Sequence, residues 1–485
     1  MKSTLISKFK MSIAAVFLFS FSNALAKDTD HQQVSVQVKQ EKREKSGINT
    51  KAGDGAGRPR LSTAEIYAVE IEKKLVEGID KTIAYLNKTA KSLPKKSGAR
   101  LEMLTRVHNL HMEQAVYVAS DEYRRYEQLW GAWNKGGRKG REPKLDQARS
   151  RLHWQKVSST GRNILREFPK NKGADVINFN QALSLSFLGQ EKNAARAFTQ
   201  LIQKFPNSPV AGDAYFSLGD YYFDRNDFRN AVNNFKLALK YRKSKRYGWA
   251  LFKLGWCYYN LGKYRESLKF WKNTVSHSKR LGDKTGLKLK EEAMRDLVYA
   301  YAELKEVESA ISYFRANGGQ RYIGQFLTLL AETFADQGAF KRSIKVWERL
   351  QSIIPRDPSA AIAQNEIISL YFELNDLNTV WRELNAYYTN YGRKSGWAVA
   401  NEKKLVLETQ VEIQKAMLYY AKVVHKNAQK RNNNSLYEHA VKGYRLYLSK
   451  YPKSREVAEV KFNLADIKFH QKEFRQSGVF ISKLQ

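Results

Sequence analysis

The chain contains very little cysteine and proline for its length, and these shortages exclude several kinds of protein. Cys257 is the single cysteine among 485 residues, so an intramolecular disulfide is impossible. Because it lies far from the N-terminus, it offers no site for a lipid anchor, and we expect a small buried hydrophobic residue rather than a redox group. Sparse glycine and proline, with abundant aromatic residues, are typical of packed helices.

Motifs of the common catalytic sites are also missing. The chain has no HExxH, no GxSxG and no Walker-type phosphate loop. His108 and His111 could place two imidazoles on one helix face, but Glu113 is the only other candidate ligand nearby. We therefore favour ordinary surface histidines over a metal site, and we expect a non-enzymatic protein without cofactor or metal.

The N-terminal residues have the pattern of a secretory signal peptide. Lys2, Lys8 and Lys10 precede an apolar stretch at 11–21, and Ala24-Leu25-Ala26 has the small-x-small form of a cleavage site. The apolar stretch is too short to span a bilayer, and no later run is long enough. We expect cleavage after Ala26 and a periplasmic mature chain without a transmembrane segment.

One motif is written twice, 36 residues apart, between residues 212 and 271. The two copies are Tyr215-x2-Leu218-Gly219-x2-Tyr222 with Ala231-x3-Phe235, and Leu251-x2-Leu254-Gly255-x2-Tyr258 with Ser267-x3-Trp271. Small residues allow two helices to cross closely, and the large ones form one apolar stripe per helix. Further copies lie at 182–206, 294–314, 330–355 and 440–452, and a weak one lies at 367–384. A possible first copy ends at 168–169, and a final one begins at 464.

This pattern resembles the tetratricopeptide repeat (TPR) family. The resemblance implies an all-α solenoid of helix-turn-helix repeats, whose usual role is protein binding. The turns Phe205-Pro206-Asn207-Ser208 and Tyr451-Pro452-Lys453-Ser454 resemble those of bacterial cell-envelope TPR proteins. These include the gliding-motility type, the Tol-Pal coordinator and the lipoprotein of the outer-membrane β-barrel assembly machine.

The expected organisation follows from composition and from the repeats. Residues 1–26 are a signal peptide and residues 27–61 a disordered linker. Residues 62–137 form an N-terminal helical region, which opens with a capping box, Ser62-x-x-Glu65. Residues 138–390 form the TPR solenoid, and 391–485 a C-terminal helical segment in which 397–430 reads as one long helical stretch.

The resemblance also implies a partner-binding groove, because fixed positions of the first helix of each repeat line the concave face of such proteins. The matching positions are Phe179, Leu183, Phe187, Phe216, Asp220, Phe223, Asp224, Trp249, Phe252, Trp256, Tyr259 and Asn260. Helix 249–260 then carries four aromatic side chains opposite its packing stripe. They either anchor a peptide or are covered by the chain's own helices.

The chain is strongly basic, with a formal net charge of +36. Two dense runs contain Lys135, Arg138, Lys139 and Arg141, and Lys240, Arg242, Lys243, Lys245 and Arg246. In a periplasmic protein the anions at hand are envelope polymers, lipids and acidic proteins, so nucleic acid is not expected. The runs are either a solvated surface or a contact for such anions.

Together these features predict an exported, non-catalytic TPR scaffold. It would bind protein partners in a cell-envelope machine for motility, division or outer-membrane assembly. The alternative is a protein that binds peptidoglycan, or regulates a cell-wall hydrolase, through its basic surface.

Overall fold

The computed structural model describes residues 63–281, 284–318 and 320–471, and within them every regular element is helical. The predicted signal peptide, the linker, Ser62 and the second helix of the last repeat lie outside the described residues. The chain forms two compact units, Met1–Leu261 and Gly262–Gln485. None of the described helices has the length and apolar content that a membrane crossing needs.

In the first unit each helix packs against the next one in the sequence. Its helices are α1 (Thr63–Ser92), α2 (Gly98–Lys135), α3 (Ala148–Glu167), α4 (Ala174–Phe187), α5 (Glu191–Lys204), α6 (Ala211–Phe223), α7 (Phe228–Ala238) and α8 (Tyr247–Asn260). One continuous apolar core extends from α2 to α6, with Trp154, Leu183 and Phe198 in its interior. The second predicted N-terminal helix, α2, therefore shares a core with the first clear repeats, whereas Ile83 of α1 packs with Val107 and Leu110 in a separate cluster.

The second unit contains eleven described helices. They are α9 (Tyr264–Leu281), α10 (Lys284–Leu304), α11 (Val307–Gly318), α12 (Gln320–Asp336), α13 (Phe340–Ile353), α14 (Pro358–Glu373), α15 (Leu377–Tyr391), α16 (Gly396–Ala400), α17 (Lys403–Arg431), α18 (Asn434–Lys450) and α19 (Val457–His470). The helix pairs α12/α13, α14/α15 and α17/α18 pack against each other. The weak copy at 367–384 therefore forms a true helix pair.

Small residues of the motif stand where two helices cross. A methyl group on Gly219 would lie 2.5 Å from a ring carbon of Phe235, closer than any normal contact. The first-to-second-helix turns also share a backbone feature, one residue in the left-handed region. These residues are Gly189, Asn226, Lys305, Gly338 and Asn375. Glycine and asparagine suit this conformation best, so the turn chemistry recurs with the repeat.

The long helical stretch expected at 397–430 is interrupted. Helix α16 ends at Ala400 and α17 starts at Lys403. The Trp397 indole N–H donates to the Asp357 carbonyl at 2.9 Å, and the Asn401 amide donates to the Arg356 carbonyl at 2.9 Å. These bonds hold the chain against the start of α14, so one straight helix is not formed.

Candidate functional site

Most of the predicted groove residues are core residues rather than an open aromatic face. The buried members are Phe179, Leu183, Phe216, Asp220, Trp249, Phe252 and Trp256. The rings of Phe179 and Phe216 lie 5.6 and 5.4 Å from those of Phe198 and Phe235, in the second helix of the same repeat. Of the two alternatives for the aromatic side chains of α8, the one in which the chain's own helices cover them therefore describes Trp249, Phe252 and Trp256.

The remaining groove positions are more accessible. Phe187, Phe223, Asp224 and Tyr259 are half-buried, and Asn260 is exposed. Tyr259 meets Trp256 edge to face, with ring centres 5.7 Å apart, and the Asn260 amide donates to the Trp256 carbonyl at 2.8 Å. Contacts of this kind hold the end of α8 in place. Whether a partner touches these residues stays a prediction.

Four of the predicted residues do come together, in a cleft of the first unit with a volume of about 620 Å³. Leu183 and Phe187 of α4 lie on one side, and Asp220 and Asp224 of α6 on the other. Between them α5 contributes Ala194, Ala195 and Phe198, which makes the floor apolar. Phe187 is fixed by stacking on Trp154, with ring centres 4.2 Å apart and planes within 2°.

Two arginines that the sequence analysis did not assign to the groove line the same cleft. The Arg225 guanidinium pairs with Glu191 at 3.0 Å and lies 3.9 Å from the centre of the Tyr221 ring. Arg151 donates to the Leu188 carbonyl at 3.3 Å. An apolar floor with charged groups at the rim is the usual composition of a small binding site, and the volume is in the usual range.

Beneath the Asp220 wall lies a buried ion pair. The Lys253 ammonium of α8 is 3.2 Å from the Asp220 carboxylate, and both side chains are almost fully buried. The same ammonium stands 4.5 Å from the centre of the Phe223 ring, a cation–π contact. Burial raises the pKa of Asp220, while the positive charges of Lys253 and Arg246 oppose that change. The pair thus links the cleft wall to α8.

Arg246 does not belong to the basic surface run in which the sequence analysis placed it. Only 2% of its surface is exposed, and its guanidinium lies 5.2 Å from the centre of the Phe216 ring. Burial lowers the pKa of Arg246, and the carboxylates of Asp213 and Asp220 oppose that shift. The other predicted basic residues are exposed: Lys135, Arg138, Lys139, Arg141, Lys240, Arg242, Lys243 and Lys245.

His108 and His111 are buried, so the interpretation as surface histidines is wrong. His108 is held between Thr160, 3.0 Å from its Nδ1, and Asn180, 3.2 Å from its Nε2. Both ring nitrogens are thus taken up by neighbouring helices. Among the described residues, no group of three or more His, Cys, Asp or Glu could hold a metal ion. Cys257 is buried, as expected, and burial raises the pKa of its thiol.

Lys253, the buried partner of the cleft residue Asp220, is the residue beside the site that the sequence analysis missed most clearly. The sequence does indicate a buried ion pair here, because Lys253 is the one charged residue between Trp249 and Tyr258 in an otherwise apolar helix. A lysine inside such a stretch is buried only with a partner. An acidic residue at a similar place in the preceding repeat, Asp220, was the natural candidate.

Comparison with known families agrees with the helix pairs. Residues 178–208 match one model of the tetratricopeptide repeat, and residues 216–270 match another. The chain contains tetratricopeptide repeats. Together with the helical fold, these TPR matches confirm the all-α solenoid class and indicate a protein–protein interaction scaffold. No curated protein matches the whole TPR chain or any part of it.

Several solved structures resemble this TPR chain at low similarity. YrrB, titled a TPR protein with an unusual peptide-binding site, is 18% identical over 42% of this chain and 97% of its own, with a TM-score of 0.30. A TPR protein from Parabacteroides merdae is 13% identical over 71% and 98%, with a TM-score of 0.27. The C-terminal part of a TPR protein from Cytophaga hutchinsonii is 13% identical over 65% and 96%, with a TM-score of 0.32.

Proposed function

We propose that this protein is an exported scaffold that holds a peptide segment of a cell-envelope protein in the cleft between α4 and α6. The observation that carries the proposal is the cleft itself, with its apolar floor and its charged rim. An apolar side chain of the peptide would lie against the half-buried Phe187 and Ala195, above the buried Leu183 and Phe198. The residues on either side of it would meet the carboxylates of α6 and the guanidinium groups of Arg151 and Arg225.

The rigidity of the cleft favours binding without a large change of shape. Phe187 is stacked on Trp154, and Arg225 is already held by Glu191. Asp220 is fixed from behind by Lys253. A preformed site loses little side-chain entropy when a partner binds, so more of the contact energy appears as affinity.

A bulky residue in the cleft tests the site. Ala195 is half-buried and lines the cleft, whereas Gln200 is exposed on the same helix and does not. We would compare Ala195→Trp with the control Gln200→Trp by affinity capture from an envelope extract. A photo-crosslinking residue at Ser186, which also lines the cleft, would identify the segment bound there.

The expected result is a partner that crosslinks at position 186 and that Ala195→Trp loses at least about tenfold. Gln200→Trp keeps the partner, and both variants keep the melting temperature of the native protein. If Ala195→Trp still captures the same partner, the cleft is not the binding site.

The proposal also includes export and a role in a cell-envelope machine for motility, division or outer-membrane assembly. They are supported by the signal pattern at 1–26 and by the repeat-level resemblance to envelope proteins. Fractionation of the host cell, followed by N-terminal sequencing, is the direct measurement. We expect a periplasmic chain that starts at Lys27, and an uncleaved cytoplasmic chain would contradict export. Binding of peptidoglycan through the basic runs stays a prediction.

A further inference from the structure

In the first unit, four turns lie at one edge of the helix stack. They join α1 to α2 (93–97), α3 to α4 (168–173), α5 to α6 (205–210) and α7 to α8 (239–246). Helices that are joined by short turns and pack side by side alternate in direction, so every second turn comes to the same edge. We call this set of four turns the cationic edge.

Hydrogen bonds tie these turns to the neighbouring turn or to the helix end beside it. At one end, the Lys96 backbone N–H donates to the Glu167 carboxylate at 3.3 Å, at the last residue of α3. The Ser208 hydroxyl donates to Asp175, in the first turn of α4, at 2.6 Å. The Tyr241 hydroxyl donates to the Pro206 carbonyl at 2.9 Å.

The fourth turn is held in the same way as the third. The Ser244 hydroxyl donates to Asp213, in the first turn of α6, at 2.5 Å. Ser244 and Ser208 also accept a backbone N–H from the residue two positions later, at 3.1 and 3.2 Å. The four turns therefore form one contiguous row of fixed backbone rather than four separate loops.

The row carries positive charge and no negative charge of its own. None of the four turns contains Asp or Glu. The first contributes Lys95 and Lys96, and the second contributes Lys170 and Lys172, all exposed. The third (205–210) contains no charged residue, and the fourth contributes the exposed residues Lys240, Arg242, Lys243 and Lys245.

The acidic residues beside the row are already engaged. Glu167 pairs with Arg100 of α2 at 2.7 Å, and this hydrogen bond lowers the pKa of Glu167. Asp175 and Asp213 accept the two serine hydroxyls. The opposite edge differs, because its connections at 136–147 and 224–227 both contain acidic residues among the basic ones. The positive charge is therefore concentrated along a single edge.

We infer that the cationic edge binds a flexible linear polyanion, a polymer whose carboxylate or phosphate groups follow one another along an unbranched chain. The shape favours this class, since the cations lie in three turns along one narrow edge, with the uncharged third turn between them, rather than over a broad face. Most of them are lysines, which act as point charges and make no bidentate contacts. The aromatic rings of the four turns, Phe168, Phe205 and Tyr241, are all half-buried, and the Tyr241 hydroxyl is already bonded. No fully exposed ring is therefore offered for base stacking.

Binding at this edge does not depend on the cleft, which lies away from the four turns, and either can exist without the other. Attraction of this kind releases counterions from the polymer, so the affinity falls steeply as salt rises. The slope of log K against log salt counts the contacts made. Variants that remove cations from the edge must therefore reduce both affinity and slope.

The test compares two variants with the same loss of charge. The edge variant is Lys170→Gln, Lys172→Gln, Arg242→Gln and Lys243→Gln. The control is Lys139→Gln, Arg141→Gln, Lys192→Gln and Arg229→Gln, four exposed cations at the opposite edge. Binding to polygalacturonate and to inorganic polyphosphate is measured by fluorescence anisotropy between ~50 and ~300 mM salt. Vesicles with anionic phospholipid and a duplex DNA are compared at equal anion concentration.

We expect the native full chain to bind at least one polymer, and the better one identifies carboxylate or phosphate as the preferred group. The edge variant should lose at least about tenfold in affinity at low salt and reduce the slope by about 1 to 3, whereas the control changes little. Equal losses in both variants, or binding to neither polymer, would overturn the inference. Preference for vesicles or for DNA would overturn it too, in favour of a bilayer or of nucleic acid.

Discussion

The Lys253 ammonium lies 3.2 Å from the Asp220 carboxylate in the interior of the first unit, and it joins α8 to the wall of the cleft. Both side chains are almost fully buried, so the Asp220 carboxylate depends on the nearby positive charges of Lys253 and Arg246 to stay ionised. The pair thus couples the shape of the cleft to the packing of α8. The contribution of the ion pair is measured by replacing each partner alone and then both together.

Lys253→Met should destabilise the protein by about 3 to 5 kcal/mol, because the Asp220 carboxylate then remains buried without its nearest cation. Asp220→Asn together with Lys253→Met should recover part of that loss, since the unpaired carboxylate is gone and the buried Arg246 keeps Asp213 as a counter-charge. Urea unfolding of the two single variants and the double variant gives the coupling energy. Additive effects would contradict the pair as an energetic unit.

The hydrogen bond from Ser244 to Asp213 predicts a second effect on stability. Ser244→Ala removes a 2.5 Å bond to a carboxylate and a hydroxyl that also accepts the Arg246 N–H. We expect a loss of about 1.5 to 3 kcal/mol, the usual contribution of a hydrogen bond to a charged group. Ser159→Ala is the matched control, because that exposed hydroxyl only returns to a carbonyl of its own helix. A loss of similar size in both variants would contradict the proposed link between turns.

Gly219→Ala should lower the stability of the protein, although helix propensity alone predicts that it raises stability. The added methyl group would meet the Phe235 ring at 2.5 Å, so the two helices of the repeat would have to separate. We expect destabilisation by about 1 to 3 kcal/mol. Gly78→Ala, where nothing lies within 4 Å, should instead be neutral or stabilise by up to about 1 kcal/mol. Thermal unfolding of both variants decides between packing and propensity.

The sequence was sufficient for the features that repeat. Gly219 and Ala231 were assigned to the helix crossing, and Phe235 to the apolar stripe, from the motif alone, because the same residue types recur where the same contact recurs. Asp220 was placed at the groove, but its partner lies 33 residues away in an apolar helix, and a pattern within one repeat does not show it. Arg246 was grouped with its basic neighbours, because sequence does not tell which residue of a turn points inward.

The exposure of the aromatic residues was the other property that the sequence left open. Helix 249–260 is apolar on nearly every side, which fits both a buried helix and one that presents a face to a ligand. Burial depends on neighbouring helices, and their placement is a tertiary property. The structure buries Trp249 and Trp256, and the cleft lies one repeat earlier. The sequence analysis named only some of the residues that line this cleft.

His108 predicts the direction in which stability changes with pH. Burial, with a smaller contribution from the charge of His111, lowers the pKa of His108 from 6.5 to about 4. The unfolded chain binds a proton near pH 6.5 and the folded chain does not until about pH 4, so the free energy of unfolding should fall as the pH drops through this window. The stabilisation is complete above pH 6.5, and its loss has a limit of about 1.4 kcal/mol per pH unit for this one group.

Replacement of this side chain separates its contribution from that of other groups. His108→Gln keeps an amide between Thr160 and Asn180 but does not titrate. We expect a shallower dependence of the urea midpoint on pH between 4.5 and 6.5, even if the variant is less stable at pH 7. Some dependence should remain, because burial also lowers the pKa values of His111 and His153. An unchanged slope would mean that these two histidines, rather than His108, determine the acid sensitivity of the first unit.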